Sequence, residues 1–343
     1  MCGLPSTTRS APRASREREL SRSFRPSSTR CYVPPVDETG PTLLDVLSND
    51  AKAALKQSLS EVWTAYAQGR ARGATPFVAA AHVASRADRL GFAFAVGYPA
   101  ALEHMVPGVE LPCALCVTEA EGNHPRAIQT TLEPAADGFV LEGIKSFVTF
   151  GTMAASLIVV ARVGERPDGR PDLAVVRIPA DRPGIELHEH PPTSFAPEVP
   201  HARVTFRGVD VRAEERLPGD GYLAYVKPFR TIEDIHVIGA AVGYLVGVAH
   251  RAGKLAVLVA ELSALLVALD GLREMEPLDP RTHVALHGVF RRFQEVSQSE
   301  AVARMWSRVP DEERTRWERD KALLRVAQKA REARFRRATE QLW

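Results

Sequence analysis

Several things the chain lacks narrow what it can be. No Gly-x-Gly-x-x-Gly falls between a strand pattern and a helix pattern, and no Gly-x-x-x-x-Gly-Lys-Ser/Thr occurs. Both absences argue against a Rossmann nucleotide site and a P-loop. Cysteine is scarce: Cys2, Cys31, Cys113 and Cys116 are too few to staple 343 residues. A reducing, cytoplasmic compartment is therefore expected. Cys113-Ala-Leu-Cys116 has no second pair to complete a zinc site. It sits in a strand-like apolar run, where residues three apart point to opposite faces, so two plain buried thiols are expected. Neither sign of charge dominates; the net charge is +2, and nothing global points to nucleic acid or a membrane surface. The longest uncharged apolar run, 237–249, is too short to span a bilayer, and Glu261 interrupts the run 255–269. Histidine ligand sets are incomplete, because His283 and His287 lack the Glu of a His-Glu-x-x-His helix. His188 and His190 run into Pro191-Pro192 without a third ligand, so no metal is expected. Arg325, Arg331, Arg334, Arg336 and Arg337 are interleaved with acids, which reads as a solvated helix face rather than a nucleic-acid patch.

What is present divides the chain into four stretches. With 45% apolar and 25% charged residues the composition is that of a globular protein with a sizeable core. Residues 1–40 are rich in Ser, Arg and Pro and nearly free of large apolar side chains, so a disordered tail is expected. Residues 41–110 read as an N-terminal helical domain. One helix is expected over 51–68, with Leu55, Leu59, Val62, Trp63 and Tyr66 on one face. Thr75-Pro76 looks like an N-cap followed by a first-turn proline opening a second helix, which would end near Arg89-Leu90-Gly91. Residues 111–221 read as a middle β domain with strands at 113–118, 139–142, 156–162, 173–178 and 202–206, separated by Gly, Pro and Asp clusters. Residues 222–343 read as a helical bundle, with helices at 232–250, 255–272, 283–300 and 311–340, the first two apolar almost all round.

Three segments occur in a fixed order inside this frame. The first is Cys116-Val117-Thr118-Glu119-Ala120-Glu121-Gly122-Asn123. The second, Leu141-Glu142-Gly143-Ile144-Lys145-Ser146-Phe147-Val148-Thr149, is followed by an apolar run, 154–162. The third is Val204-Thr205-Phe206-Arg207-Gly208-Val209-Asp210-Val211, closing on Leu217-Pro218-Gly219-Asp220-Gly221. Together they resemble the Thr-Glu-Pro-x-x-Gly-Ser-Asp stretch, the Leu-Asn-Gly-x-Lys-x-Trp/Phe-Ile-Thr/Ser-Asn stretch and the strand-to-Gly turn of the acyl-CoA dehydrogenase family. The resemblance covers about residues 85–250.

It implies an α+β fold: an N-terminal helical domain, a middle β domain and a C-terminal α-helical bundle. It also implies FAD, with Leu115, Val117 and Thr118 against the ring and Phe147, Val148 and Thr149 beside it. Taken one at a time, Thr118 and Thr149 are equally ordinary strand threonines and Phe147 ordinary core. Asn123 stands where a serine usually touches substrate or flavin phosphate. Other family elements are missing: an inter-subunit Arg/Gln loop, a Gln-x-x-Gly-Gly-x-Gly turn and a C-terminal Tyr-Glu-Gly-Thr bearing the usual catalytic glutamate. In some members that glutamate lies ten residues before a glycine on the first long bundle helix, which here is Glu233 ahead of Gly243. Thr231-Ile232-Glu233-Asp234 reads equally well as a helix start, where an acid caps the helix. Asp234 stands where many members have a buried arginine. The resemblance thus implies α,β-dehydrogenation of an acyl-CoA or acyl-carrier thioester, with an electron-transfer flavoprotein or oxygen as acceptor. The helices over 232–272 are more apolar than a solitary bundle needs, so a homo-oligomer, most simply a dimer, is expected. The missing motifs favour the alternative of a non-catalytic homologue serving as a binding or assembly protein.

Overall fold

Capping signals set where the first helices begin. The computed structural model describes residues 40–48, 55–253 and 255–343; the tail expected over 1–40 lies outside these except for Gly40. After a short helix α1 (Leu43–Leu47), α2 spans Leu59–Ala71. It does not start at residue 51. Ser58 accepts from the Glu61 N–H at 3.2 Å and Glu61 accepts from the Ser58 N–H at 3.1 Å, a reciprocal box that fixes the start at Leu59. α3 (Pro76–Ala84) opens on Thr75, whose hydroxyl accepts from the Val78 N–H. Arg89-Leu90-Gly91 begins the next helix rather than ending this one: α4 runs Leu90–Met105.

The strands follow: β1 (Cys113–Cys116), β2 (Thr131–Ala135), β3 (Gly138–Thr149), β4 (Ser156–Glu165), β5 (Pro171–Pro179), β6 (Ile185–Glu189) and β7 (His201–Arg212). They form one seven-stranded sheet in the order β1-β4-β2-β3-β7-β6, with β5 on the other flank of β4. β1 and β2 run parallel to β4, and the remaining pairs are antiparallel. Alternate residues serve two cores. Cys116, Leu141, Val148, Val159, Val176 and Phe206 fill one. Cys113, Leu115, Val117, Ile158 and Val175 fill the other, together with side chains of α4 and the bundle. Cys113 and Cys116 are thus two separate buried thiols, both pushed up by burial, Cys116 to about 12.

A single π-helical stretch (Gly221–Val226), capped by Asp220 accepting from the Tyr222 and Leu223 N–H groups, leads into α5 (Lys227–Arg251). This continuous stretch, 221–251, is long and apolar enough to cross a membrane, longer than the uncharged run suggests. It is almost wholly enclosed by protein, so its apolarity is that of a core helix. α3 lies against it at van der Waals closeness: a Cβ on Gly243 would stand 2.5 Å from the Ala81 oxygen, and one on Gly247 within 1.8 Å of the Ser85 oxygen. The N-terminal helices and the bundle consequently share one hydrophobic core. α6 (Ala256–Leu272), α7 (Pro280–Ser297), α8 (Glu300–Trp306), α9 (Asp311–Asp320) and α10 (Gln328–Leu342) complete the bundle. The single helix expected over 311–340 is broken by a 3-10 turn at Lys321–Arg325.

Candidate active site

Two adjacent carboxylates on α5 organise the site. Glu233 lies more than three turns past Asp220, the residue that caps this helical stretch, so the cap reading of Glu233 does not hold. It opens onto a cavity of about 230 Å³ whose walls include Phe94, Phe195, Val199 and Val237. No hydrogen-bond or ion-pair partner meets its carboxyl among the described residues. Burial first, and then the charge of Asp234, push Glu233 up to about 7, against Arg230, Arg331 and Arg334. Tyr98, buried beside it, is held well above the usual phenol range by burial and by Glu233.

Asp234 is buried and fully engaged. It accepts from Arg331 Nε at 2.8 Å and pairs with Arg334, both on α10. The acid at a position where the family often has a buried arginine therefore has a partner: it latches the C-terminal helix to α5. The segment so held, with Leu323, Val326, Ala327 and Arg331, roofs the Glu233 cavity.

Opposite stands the end of β3. Phe147 and Thr149 line the same cavity as Glu233. Phe147 remains 45% exposed and stacks on His201 at 4.3 Å, while His201 is lowered to about 4 by burial and by His190. Val148, between them, points into the sheet core. Leu115 and Val117 are also covered, packed in a cluster with Tyr98, Phe150 and Phe229, and do not line the cavity. Thr118 is half-buried, and its carbonyl accepts from the Ser146 N–H at 2.8 Å, tying β1 to β3. Asn123 is elsewhere: it borders a second cavity, of about 590 Å³, against α5 and α10. Of the residues singled out by sequence, then, Glu233, Phe147 and Thr149 converge.

Three functional features carried no sequence assignment. Glu119 and Lys145, inside the matched segments, form a buried ion pair at 2.7 Å. Burial would raise Glu119, but Lys145, the Gln129 N–H and Thr130 hold it below its ordinary range. The pair locks the loop after β1 to β3. Phe150 adopts φ 61° where the family stretch has asparagine, a residue that enters the left-handed region more readily. This turn drives its ring between Trp63, Phe94 and Tyr98. The roof formed by Leu323, Val326, Ala327 and Arg331 belongs to the part of the chain that the resemblance does not cover.

Residues 114–209 match the acyl-CoA dehydrogenase middle domain. The chain has the acyl-CoA dehydrogenase fold. No curated protein matches it. Among solved structures it is similar to a FAD-dependent dehydrogenase, 15% identical over 82% of this chain and 91% of that one, TM-score 0.58. FkbI, for biosynthesis of the methoxymalonyl extender unit of the Fk520 polyketide, is 18% identical over 77% and 83%, TM-score 0.56. The prolyl acyl carrier protein oxidase AnaB is 18% identical over 76% and 81%, TM-score 0.54. These likenesses extend the acyl-CoA dehydrogenase fold over most of the chain, beyond the matched middle domain.

Proposed function

We propose that this chain is an FAD-dependent oxidoreductase that removes the α- and β-hydrogens of an acyl thioester, with Glu233 as the base. The observation that carries the reading is the shared cavity: a carboxyl raised to about 7 faces Phe147 and Thr149. A general base works best with a pKa near the operating pH, and burial together with the charge of Asp234 holds this one there. The residues fit a flat ring, since Phe147 offers a half-exposed aromatic face and Thr149 a hydroxyl beside it. A bound flavin would supply the hydride acceptor. Leu115 and Val117 would shape this wall from beneath, and Thr118 would hold β1 to β3. A thioester on CoA or on a carrier protein is the substrate class, with an electron-transfer flavoprotein or oxygen taking the electrons. That one similar structure is an acyl carrier protein oxidase supports this class.

One observation favours the non-catalytic reading. The cavity, at about 230 Å³, is smaller than the roughly 300–1,000 Å³ usual for ligand pockets. An absorption spectrum separates the two. The enzyme reading expects flavin bands that bleach on adding acyl thioester, a bleaching slowed by about 10²–10⁴-fold in Glu233→Gln. A colourless protein whose unfolding temperature does not rise with FAD leaves only the binding role.

The same reading includes a homo-oligomer. α6 turns Val257, Val267, Ala260 and Ala264 outward, an apolar strip that a second copy would cover. Light scattering should give at least a dimer at micromolar concentration, and a strict monomer contradicts it.

A further inference from the structure

The larger cavity, beside Asn123, has a charge of one sign. Lys227 and Arg230 reach it from α5, and Arg334 and Arg337 from α10; no Asp or Glu lines it among the described residues. Several cations elsewhere are matched: Arg70 pairs with Glu103, Arg182 with Glu215 and Arg251 with Glu313, whereas scattered surface arginines such as Arg126, Arg203 and Arg336 are not, among the described residues. Here Arg334 alone has an acid, Asp234, while Lys227, Arg230 and Arg337 have no carboxylate partner among the described residues. Two elements far apart in sequence have thus brought four like charges together with a counterion for one of them, an arrangement that repulsion disfavours until an anion enters. His283, on the same wall, is pushed down by burial and then by Arg334, Arg337 and Lys227, so the field reaches neutral groups as well.

We propose that this cavity is a site for a phosphate or pyrophosphate group, held by Lys227, Arg230, Arg334 and Arg337. Guanidinium forks match phosphate oxygens in pairs, and the lysine adds a mobile point charge. The exposed Asn123 amide adds a neutral polar contact at the rim, and the buried Thr231 hydroxyl bonds His283 on the same wall. The Asp234 latch stands between the two cavities, with Arg331 on the Glu233 side and Arg334 on the basic side. The site stands on the unmatched cations; assigning its phosphate to a flavin or to a thioester carrier rests on the function proposed above.

Inorganic pyrophosphate titrated into the full chain by calorimetry tests the site without any flavin or turnover. Binding should weaken as salt rises and fall at least about tenfold in the double variant Lys227→Ala/Arg337→Ala, both exposed positions whose loss should hold or slightly raise the unfolding temperature. FAD against riboflavin, and CoA against pantetheine, then identify the source: the pair whose phosphate-bearing member binds tighter, and loses that advantage in the double variant, is the natural one. No binding at about 10 mM pyrophosphate, or equal binding to wild type and variant, overturns the proposal. Both results are independent of whether Glu233 is a base.

Discussion

Two cavities meet at one turn of α5, and they treat neighbouring acids in opposite ways. On the apolar side Glu233 has no partner, and burial raises it to about 7. Asp234, the next residue, has two arginines and serves as a structural latch. On the basic side the cations outnumber the acids, and three of them have no acid to pair with. The same residue class thus becomes a proton acceptor or a clamp according to what the fold places around it. What decides the difference is the C-terminal segment: α10 gives its arginines to Asp234, and the residues just before it, Leu323, Val326 and Ala327, lie over Glu233.

Breaking the latch should have the largest effect. Asp234→Ala leaves Arg331 and Arg334 half-buried without their acid, and should lower unfolding stability by about 3–5 kcal/mol. Denaturant melts measure this, and proteolysis should then cut first near α10. A loss under about 1 kcal/mol would mean that the latch is ornamental. Wetting the apolar side comes next. Val237 lies one turn after Glu233 on the same cavity, so Val237→Asn places an amide donor beside the carboxyl. The midpoint of Glu233 should fall by about 1, read from the pH dependence of stability. The smallest effect crosses between the cavities: Arg230→Ala removes an opposing charge and should raise that midpoint by about 0.3.

Much of the fold was legible because local chemistry agreed with the tertiary answer. β1, β4 and β5 are buried apolar runs, and Thr75-Pro76 is a cap with its proline. What escaped was local chemistry read without its partners. β2 carries Pro134, and β6 pairs only with β7 and carries half-exposed and exposed residues, so neither looks like a buried strand. Lys145 looks like a surface lysine but is wholly enclosed with Glu119. Thr231-Ile232-Glu233-Asp234 imitates a helix start, although the cap is Asp220. In the site, Glu233, Phe147 and Thr149 were found through the resemblance, and the structure brings them together. The arginines that answer Asp234 sit about a hundred residues away, where no spacing pattern connects them.

The account rests on Glu233 being disfavoured as an anion by its cavity. In the unfolded chain its carboxyl titrates near 4.5, and in the fold at about 7. The folded state therefore binds this proton more tightly, so the contribution of Glu233 to wild-type stability is lost as pH rises from about 4.5 to about 7. Glu233→Gln carries no such proton, and its other groups titrate as in wild type. Chemical denaturation of both proteins between pH 4 and pH 8 isolates the residue. The variant should gain on the wild type by on the order of 3 kcal/mol across that range. Parallel curves, or a variant that loses ground as pH rises, would contradict the account.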